Sequence, residues 1–480
     1  MIHNINSKPN IILINVDDLG WTDLGCMGST FYETPNIDKL ASNGCIFTRA
    51  YASAPNCAPS RANLLTGLQP SRHGVYTVGD SERGESLLRK LIPVQNKPYV
   101  DYDIPTIGHA FQDIGYYTGV IGKWHISKDP LKHGFNENFA GCHMGMPKTY
   151  FSPYNIPTLK DGEDGEYLPE RLANEVVNFI GRNKENPFFL YYPTYLVHTP
   201  LEAKDETVEK YKKKRDLNNR HKNPVYAAMV ESLDDVVGKV MESLRVNNLL
   251  DNTLVLFTSD NGGIRSISRQ TPLKAGKGAL YEGGIRVPLI AHWPEKIKAG
   301  STSQSMISNL DFFPTLLNLC GGNATELKLD GEDKRESLLG EESNTKQEAT
   351  LWHFPVYLGP YEPQMDEGRD PLFRTRPCSM IMQGDWKLHY FYEDGVYELY
   401  NIKEDIGERF NVVEKEKETF KALKIKLQQL LDYYQMPLPT ELNPEFDEKE
   451  NQKRIHEIIC EETPEHQTEE DWYRVLKFID

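Results

Sequence analysis

The stretch NIILINVDD, Asn10 to Asp18, is a continuous apolar run closed by two acids. An unbroken run of this kind reads as a strand buried on both faces. A parallel strand is therefore predicted over Asn10–Val16, with Asp17 and Asp18 just past its C-terminal end. Working outward, TPNIDKLASNG reads as a short helix with Pro35 near its start and Gly44 as its cap. SRANLLTG is a further short helix stopped by Gly67, and TIGHAFQDIG a helix ending at Gly115. YYTGVIGKWH reads as a strand running into Lys123 and His125. LANEVVNFIGRN is helical, and PFFLYYPTYLVHTP is a strand leading to His198. A long helix carries Ala228, Val230, Leu233, Val237, Val240 and Leu244 on a near-helical period. NTLVLFTSDNGG is then a strand ending at Asp260 and Asn261. RVPLIAHWP adds a strand and DFFPTLLNLCGG a helix. This alternation predicts an α/β fold with a large, mostly parallel sheet flanked by helices. Four strands deliver ionisable or amide groups just beyond their C-terminal ends, the edge where open α/β sheets bind ligands. Asp17, Asp18, Lys123, His125, His198, Asp260 and Asn261 are expected to converge.

After about Thr350 the texture changes. CSMIMQGDWKLHYFYEDGVYELYNI reads as short antiparallel strands, with turns at Gln383-Gly384-Asp385 and Glu393-Asp394-Gly395. A charged helix follows over roughly Lys415 to Tyr434. Two units are expected: a larger α/β domain, 1–349, and a smaller C-terminal subdomain, 350–480, of antiparallel sheet, helix and acidic tail. The basic run EKYKKKRDLNNRHK reads as a solvated helix face or loop. The chain has 480 residues, 54 basic against 70 acidic, for a net charge of −16. That balance argues against a nucleic-acid partner. No run approaches the roughly 20 apolar residues of a membrane span. Seven cysteines without regular spacing exclude a disulfide scaffold. The N-terminus lacks the pattern of a signal peptide. The expected location is cytoplasmic as the sequence stands, and periplasmic or secreted if an export signal was trimmed.

Asp17, Asp18, Asp260 and Asn261 offer four hard oxygen donors, which suit Ca²⁺ or Mg²⁺ better than Zn²⁺. The same groups could instead make a turn or cap a helix. Arg61, Lys123, His125, His198 and Lys277 supply cations and protonatable groups near the same edge. KAGKGALYEGG around Lys277 is glycine-rich, as a backbone must be where it approaches a ligand closely. Together these groups suit a tetrahedral oxyanion, sulfate or phosphate. Cys57 precedes a short helix, whose exposed N–H groups favour a thiolate, and Arg61 lies near its first turn. From these features alone Cys57 could be a thiolate nucleophile, a structural residue or something less usual.

Cys57-Ala58-Pro59-Ser60-Arg61, followed by ANLLTG, resembles the signature of the type I, formylglycine-dependent sulfatases of the alkaline-phosphatase-like superfamily. NVDDLGWTDLGCMG, TPNIDKLASNG, GYYTGVIGKWH, HTP, TSDNGG and GKGALYEGGIRVP resemble further family blocks in family order. GDWKLHY and YELYNIKED resemble its C-terminal subdomain. The resemblance implies that Cys57 is oxidised to Cα-formylglycine by a formylglycine-generating or anaerobic sulfatase-maturing enzyme. One hydroxyl of the hydrated aldehyde would attack sulfur, and the other would expel sulfate afterwards. It also implies a Ca²⁺, with Mg²⁺ as the alternative, held by Asp17, Asp18, Asp260, Asn261 and the residue at 57. Arg61 would stabilise the hydrate, and Lys123 and Lys277 would bind sulfate oxygens. His125 would assist the hydroxyls, and His198 with Lys277 would protonate the leaving alcohol.

The expected substrate is a sulfated carbohydrate. Substrate contacts are sought in the second unit at His353, Arg369 and Arg374, beside Trp352, Tyr357, Asp366 and Arg376, with His143 and Lys148 as rim candidates. Three other readings stand beside this one. They are a phosphonate monoester or phosphodiester hydrolase on the same scaffold, a non-catalytic glycan-binding relative, and an enzyme using the unmodified thiolate.

Overall fold

The structure is a computed structural model and describes residues 8–214, 223–340, 348–363, 365–369 and 371–460. Most of the basic run from Arg215 onward and the tail beyond Cys460 lie outside the described residues. Fourteen strands are described. They are β1 (Asn10–Val16), β2 (Cys45–Phe47), β3 (Ala50–Tyr51), β4 (Tyr117–Ile121), β5 (Glu137–Phe139), β6 (Phe188–Pro193) and β7 (Thr253–Ser259), followed by β8 (Leu289–His292), β9 (Ser301–Ser303), β10 (Ile307–Ser308), β11 (Thr350–Phe354), β12 (Cys378–Gln383), β13 (Trp386–Phe391) and β14 (Tyr397–Asn401). Eight form one sheet in the order β5-β4-β6-β1-β7-β8-β2-β9. It is mostly parallel; β8 alone runs against its neighbours β7 and β2.

β1 lies near the middle, and all seven of its residues are buried. Ile12, Ile14 and Val16 pack into one apolar layer with Val230 and Val237. Ile11 and Leu13 pack into the other with Ala62, Leu65 and Phe313. Helices cover both faces, so every side chain must be apolar or satisfied inside, and the strand shows no alternation. Asn15 meets that demand in part, its Nδ2 donating to the Tyr191 hydroxyl (3.0 Å).

The helix Pro35–Ser42 has Thr34 before it but no capping bond from that side chain. Asp234, on the long helix Pro224–Val246, takes the role from a distance. It accepts from the backbone N–H of Asn36 (3.1 Å) and of Ile37 (2.8 Å). Asp234→Ala should therefore cost about 1–2 kcal/mol of stability, as a lost cap does, read as a lower denaturant midpoint at unchanged slope.

β11–β14 form a separate antiparallel sheet in chain order. One face, with Trp352, Phe354, Met380 and Met382, packs on Tyr51, Leu280 and Ile285 of the large unit. The other, with Leu351, Ile381, Leu388 and Leu399, is covered by Leu423, Leu427 and Leu431 of the helix Lys417–Tyr433. A buried charge network crosses the junction. Lys387 Nζ lies 3.0 Å from both Glu282 and Glu408. Glu282 also binds Arg286 (2.6 Å), and Glu408 accepts from His389 (3.0 Å). Each charge is paired, which a dry interior requires.

Candidate active site

Parallel pairing sets the site. Val16 of β1 lies opposite Ser259 of β7, and Asn15 lies opposite Pro193 of β6. The chains leaving these strands emerge side by side, and the Asp18 N–H donates to Asp260 Oδ1 (3.2 Å). Asp18 and His125 both hold left-handed backbone, with φ of 60° and 68°. Such conformations are uncommon without glycine and recur at functional sites.

Cys57 is the first residue of the helix Cys57–Thr66 rather than preceding it. It is buried, with Sγ 3.8 Å from Asp18 Oδ1. Lys277 Nζ donates to Asp18 Oδ2 (2.8 Å), and Asn261 Nδ2 donates to Asp18 Oδ1 (2.8 Å). Lys123 Nζ donates to Asp17 Oδ2 (2.6 Å). Arg61 grips Asp260 Oδ2 through Nε (2.8 Å) and Nη2 (2.7 Å), and donates through Nη1 to the Lys123 carbonyl (2.8 Å). The strand read as leading to His198 stops at Pro193, and His198 arrives on the following loop.

His198 Nδ1 lies 2.7 Å from the Thr199 carbonyl, which can only accept. That fixes the proton on Nδ1 and leaves Nε2 to face Lys277 Nζ at 3.1 Å. Burial, and then Lys277, lower the His198 pKa, so the ring rests neutral. His125 is likewise neutral: burial first, then Lys123 and Arg61, push its pKa well below the usual imidazole range. Its Nδ1 is buried without a hydrogen-bond partner.

The carboxylates want a further cation. Burial raises the Asp17 pKa well above the usual range although Lys123 opposes it. Burial also works against the Asp18 charge, but Lys277 holds its pKa low. Asp17 Oδ1 and Asn261 Oδ1 are buried and accept no hydrogen bond. Asp17, Asp18, Cys57 and His198 each bring a ligand atom within 4.8 Å of the others. Asp260 stands at the same tip with its oxygens turned to Arg61 and the Asp18 N–H. Two orphaned hard oxygens beside two carboxylates fit a divalent Ca²⁺ or Mg²⁺.

Comparison with known proteins names this arrangement. The family model described as Sulfatase matches residues 9–322. The chain belongs to the sulfatase family. It is a sulfuric ester hydrolase with the alkaline-phosphatase-like α/β fold. A second family model, N-sulphoglucosamine sulphohydrolase, C-terminal, matches residues 276–436 of this sulfatase. The sulfatase is 33% identical to a sulfatase of Formosa agariphila over 484 residues, covering 85% of each chain. It is 36% identical to N-acetylgalactosamine-6-sulfatase of Homo sapiens over 344 residues, 65% of this chain and 62% of that one. The crystal structure of Ps i-CgsB in complex with k-i-k-neocarrahexaose superposes with a TM-score of 0.73 at 30% identity, covering 98% of this chain and 100% of that one.

The rim residues of the sulfatase fall in different places. His353 is buried, with Nδ1 bonded to Ser379 Oγ (2.7 Å) and Nε2 to the Pro437 carbonyl (2.9 Å). Both ring nitrogens are thus used inside the subdomain, where burial pushes the pKa down to about 4; the structure does not bring His353 to the pocket. Trp352 is also interior and donates to the Ala52 carbonyl (2.8 Å). Arg369 is committed to Asp394 (2.6 Å) and Glu398 (3.7 Å), and Arg376 to Glu393 (2.5 Å). The Tyr357 hydroxyl donates to Glu393. Asp366 ties its own loop by accepting from the Tyr361 N–H (2.6 Å). His143 and Lys148 are exposed on a loop whose Gly145 closes on the His125 ring, where a Cβ would lie 2.6 Å from Nε2.

Arg374 reaches the loop that carries Lys277. Gly278, next to Lys277, has φ of +95°, and a Cβ there would lie 2.8 Å from Arg374 Nε. Tyr361, absent from the sequence reading, lies under the Arg374 guanidinium with 3.6 Å to the ring centroid. Through Arg374 the Tyr361 ring stands beside the loop that carries Lys277. The Tyr361 stretch, GPYEPQ, carries no periodicity and no charge partner that would have marked it.

Proposed function

We propose that this sulfatase removes sulfate from a sulfated carbohydrate, with Cys57 converted to Cα-formylglycine by a maturing enzyme and Ca²⁺ held by Asp17, Asp18 and Asn261 beside Asp260. The observation that carries the reading is the position of Cys57. It sits on Asp18 at a helix start, where Lys123, Lys277, Arg61, His125 and His198 converge. When present, the cation would polarise sulfate oxygens and the hydrated aldehyde would supply an attacking hydroxyl.

The chain's own side chains do the rest. The Lys123 and Lys277 ammonium groups receive the sulfate oxygens. Arg61 is a positioning residue: it holds Asp260 and the Lys123 backbone. His125 accepts a hydroxyl proton at its unpartnered Nδ1. A bound sulfate ester adds negative charge, which raises the His198 pKa and lets Nε2 carry a proton to the leaving oxygen. The names of the human and carrageenan-oligosaccharide-bound relatives support a sugar as the alcohol.

The test is sulfate release by protein purified from its own host. The panel holds sulfated mono- and disaccharides, with phosphate and phosphonate monoesters as comparators. Sulfated sugars should be turned over, chelation should stop the reaction and Ca²⁺ should restore it. Preference for a phosphonate ester, or turnover of aryl sulfates alone, would overturn the reading.

A further inference from the structure

Arg374 is 5% exposed, yet its Nε and Nη1 have no hydrogen-bond partner. It makes no ion pair among the described residues. A buried guanidinium left this way is costly unless something completes it. The nearby acids are used elsewhere. Asp366 accepts from the backbone N–H of Tyr361 and Glu362, and Glu367 pairs with Arg265 (2.6 Å) and Arg409 (3.7 Å). Glu393 is taken by Arg376.

A second cation makes the place more positive. Burial lowers the Arg374 pKa, and Arg83 works in the same direction while Asp366 opposes it. Arg83 donates to the Val78 carbonyl and also makes no ion pair among the described residues. In a chain of net charge −16, two guanidinium groups with no ion pair among the described residues leave positive charge to be completed here.

The position is equally specific. Arg374 abuts Gly278, whose N–H donates to the Pro55 carbonyl (2.8 Å), two residues before Cys57. The Tyr361 ring fixes the guanidinium plane and is itself 44% exposed, offering a face beside the pocket.

We propose that Arg374 is a specificity-determining residue that binds a second anionic group of the substrate, a carboxylate or a second sulfate ester, close to the sulfate being removed. This rests on the carbohydrate reading above and narrows it to sugars with two anionic groups. A guanidinium whose Nε and Nη1 are both unpartnered has donors left for either oxyanion.

The test uses three probes: N-acetylgalactosamine 6-sulfate, N-acetylgalactosamine 4,6-disulfate, and the disaccharide of the 6-sulfate with a uronic acid. Each is measured as a substrate and as a competitor of 4-nitrophenyl sulfate hydrolysis. The enzyme should favour one doubly anionic probe over the monosulfate by about 10- to 100-fold, the range of a charge-assisted hydrogen bond. Preference for the disulfate assigns a second sulfate, and preference for the disaccharide assigns a carboxylate. Arg374→Met should erase the preference through KM rather than kcat, and Arg374→Lys should retain part of it. Thermal unfolding of both variants checks that the fold persists. An equal preference in wild type and Arg374→Met, or no preference in wild type, overturns the inference while the sugar reading stands. Hydrolysis of 4-nitrophenyl sulfate with no turnover of, or competition by, any sugar sulfate overturns both.

Discussion

Replacing Cys57 with alanine is expected to lower turnover by at least about 10⁴-fold, the scale on which removing a covalent nucleophile acts. Folding should be nearly untouched. The Cys57 sulfur makes one long contact, 3.8 Å to Asp18, and the helix it begins is held by its own ladder and by the packing of Ala62, Leu64 and Leu65. Sulfate release and the thermal midpoint should therefore separate, the first collapsing while the second moves by a few degrees. Activity within a hundredfold of wild type would mean that the chemistry runs through another group, and the formylglycine proposal would be lost. The mass of the peptide holding Cys57, from protein made in its own host, gives the independent reading of its modification.

His198→Ala should divide substrates by their leaving groups. A sugar alkoxide is basic and needs a proton as the ester bond breaks; a 4-nitrophenolate does not. Loss of a general acid costs about 10²- to 10⁴-fold where the proton is needed. The variant should lose activity on that scale toward sulfated sugars and less than about tenfold toward 4-nitrophenyl sulfate. The geometry makes this a sharp comparison, because Nε2 is the one ring position turned to Lys277 while Nδ1 is fixed on the Thr199 carbonyl. Equal losses on both substrates would instead mark His198 as support for Asp18, which lies 3.5 Å from Nε2.

The convergence of the candidate site was legible because its residues sit where strands stop. NIILINVDD and NTLVLFTSDNGG announce two adjacent parallel strands by their lack of alternation, and the register Val16–Ser259 then forces Asp17 and Asp260 together. The C-terminal sheet was legible as antiparallel but not in its details. LWHFP offers aromatics that suit a sugar, yet its sheet is covered on both faces, so Trp352 and His353 serve the interior. A strand's own sequence does not say whether one or two layers will pack on it. The same limit hid Tyr361, whose meaning depends on Arg374 above it and on the Lys277 loop, far earlier in the chain. Arg374, Arg369 and Arg376 look alike in the sequence; only the carboxylates around them tell an occupied guanidinium from an open one.

The Lys387–Glu282–Glu408 junction bears on how such enzymes could diversify. Glu282 lies five residues after Lys277, so the strand that carries Lys387 is anchored to the loop that carries the ammonium on Asp18. Grafting a relative's C-terminal sheet to alter sugar choice would therefore have to transplant Lys387, His389 and Glu408 together. A chimera that kept the acids and lost the lysine would leave Glu282 to Arg286 and Glu408 to His389, with their mutual repulsion no longer bridged in a dry seam, and the Lys277 loop would be the first thing to shift.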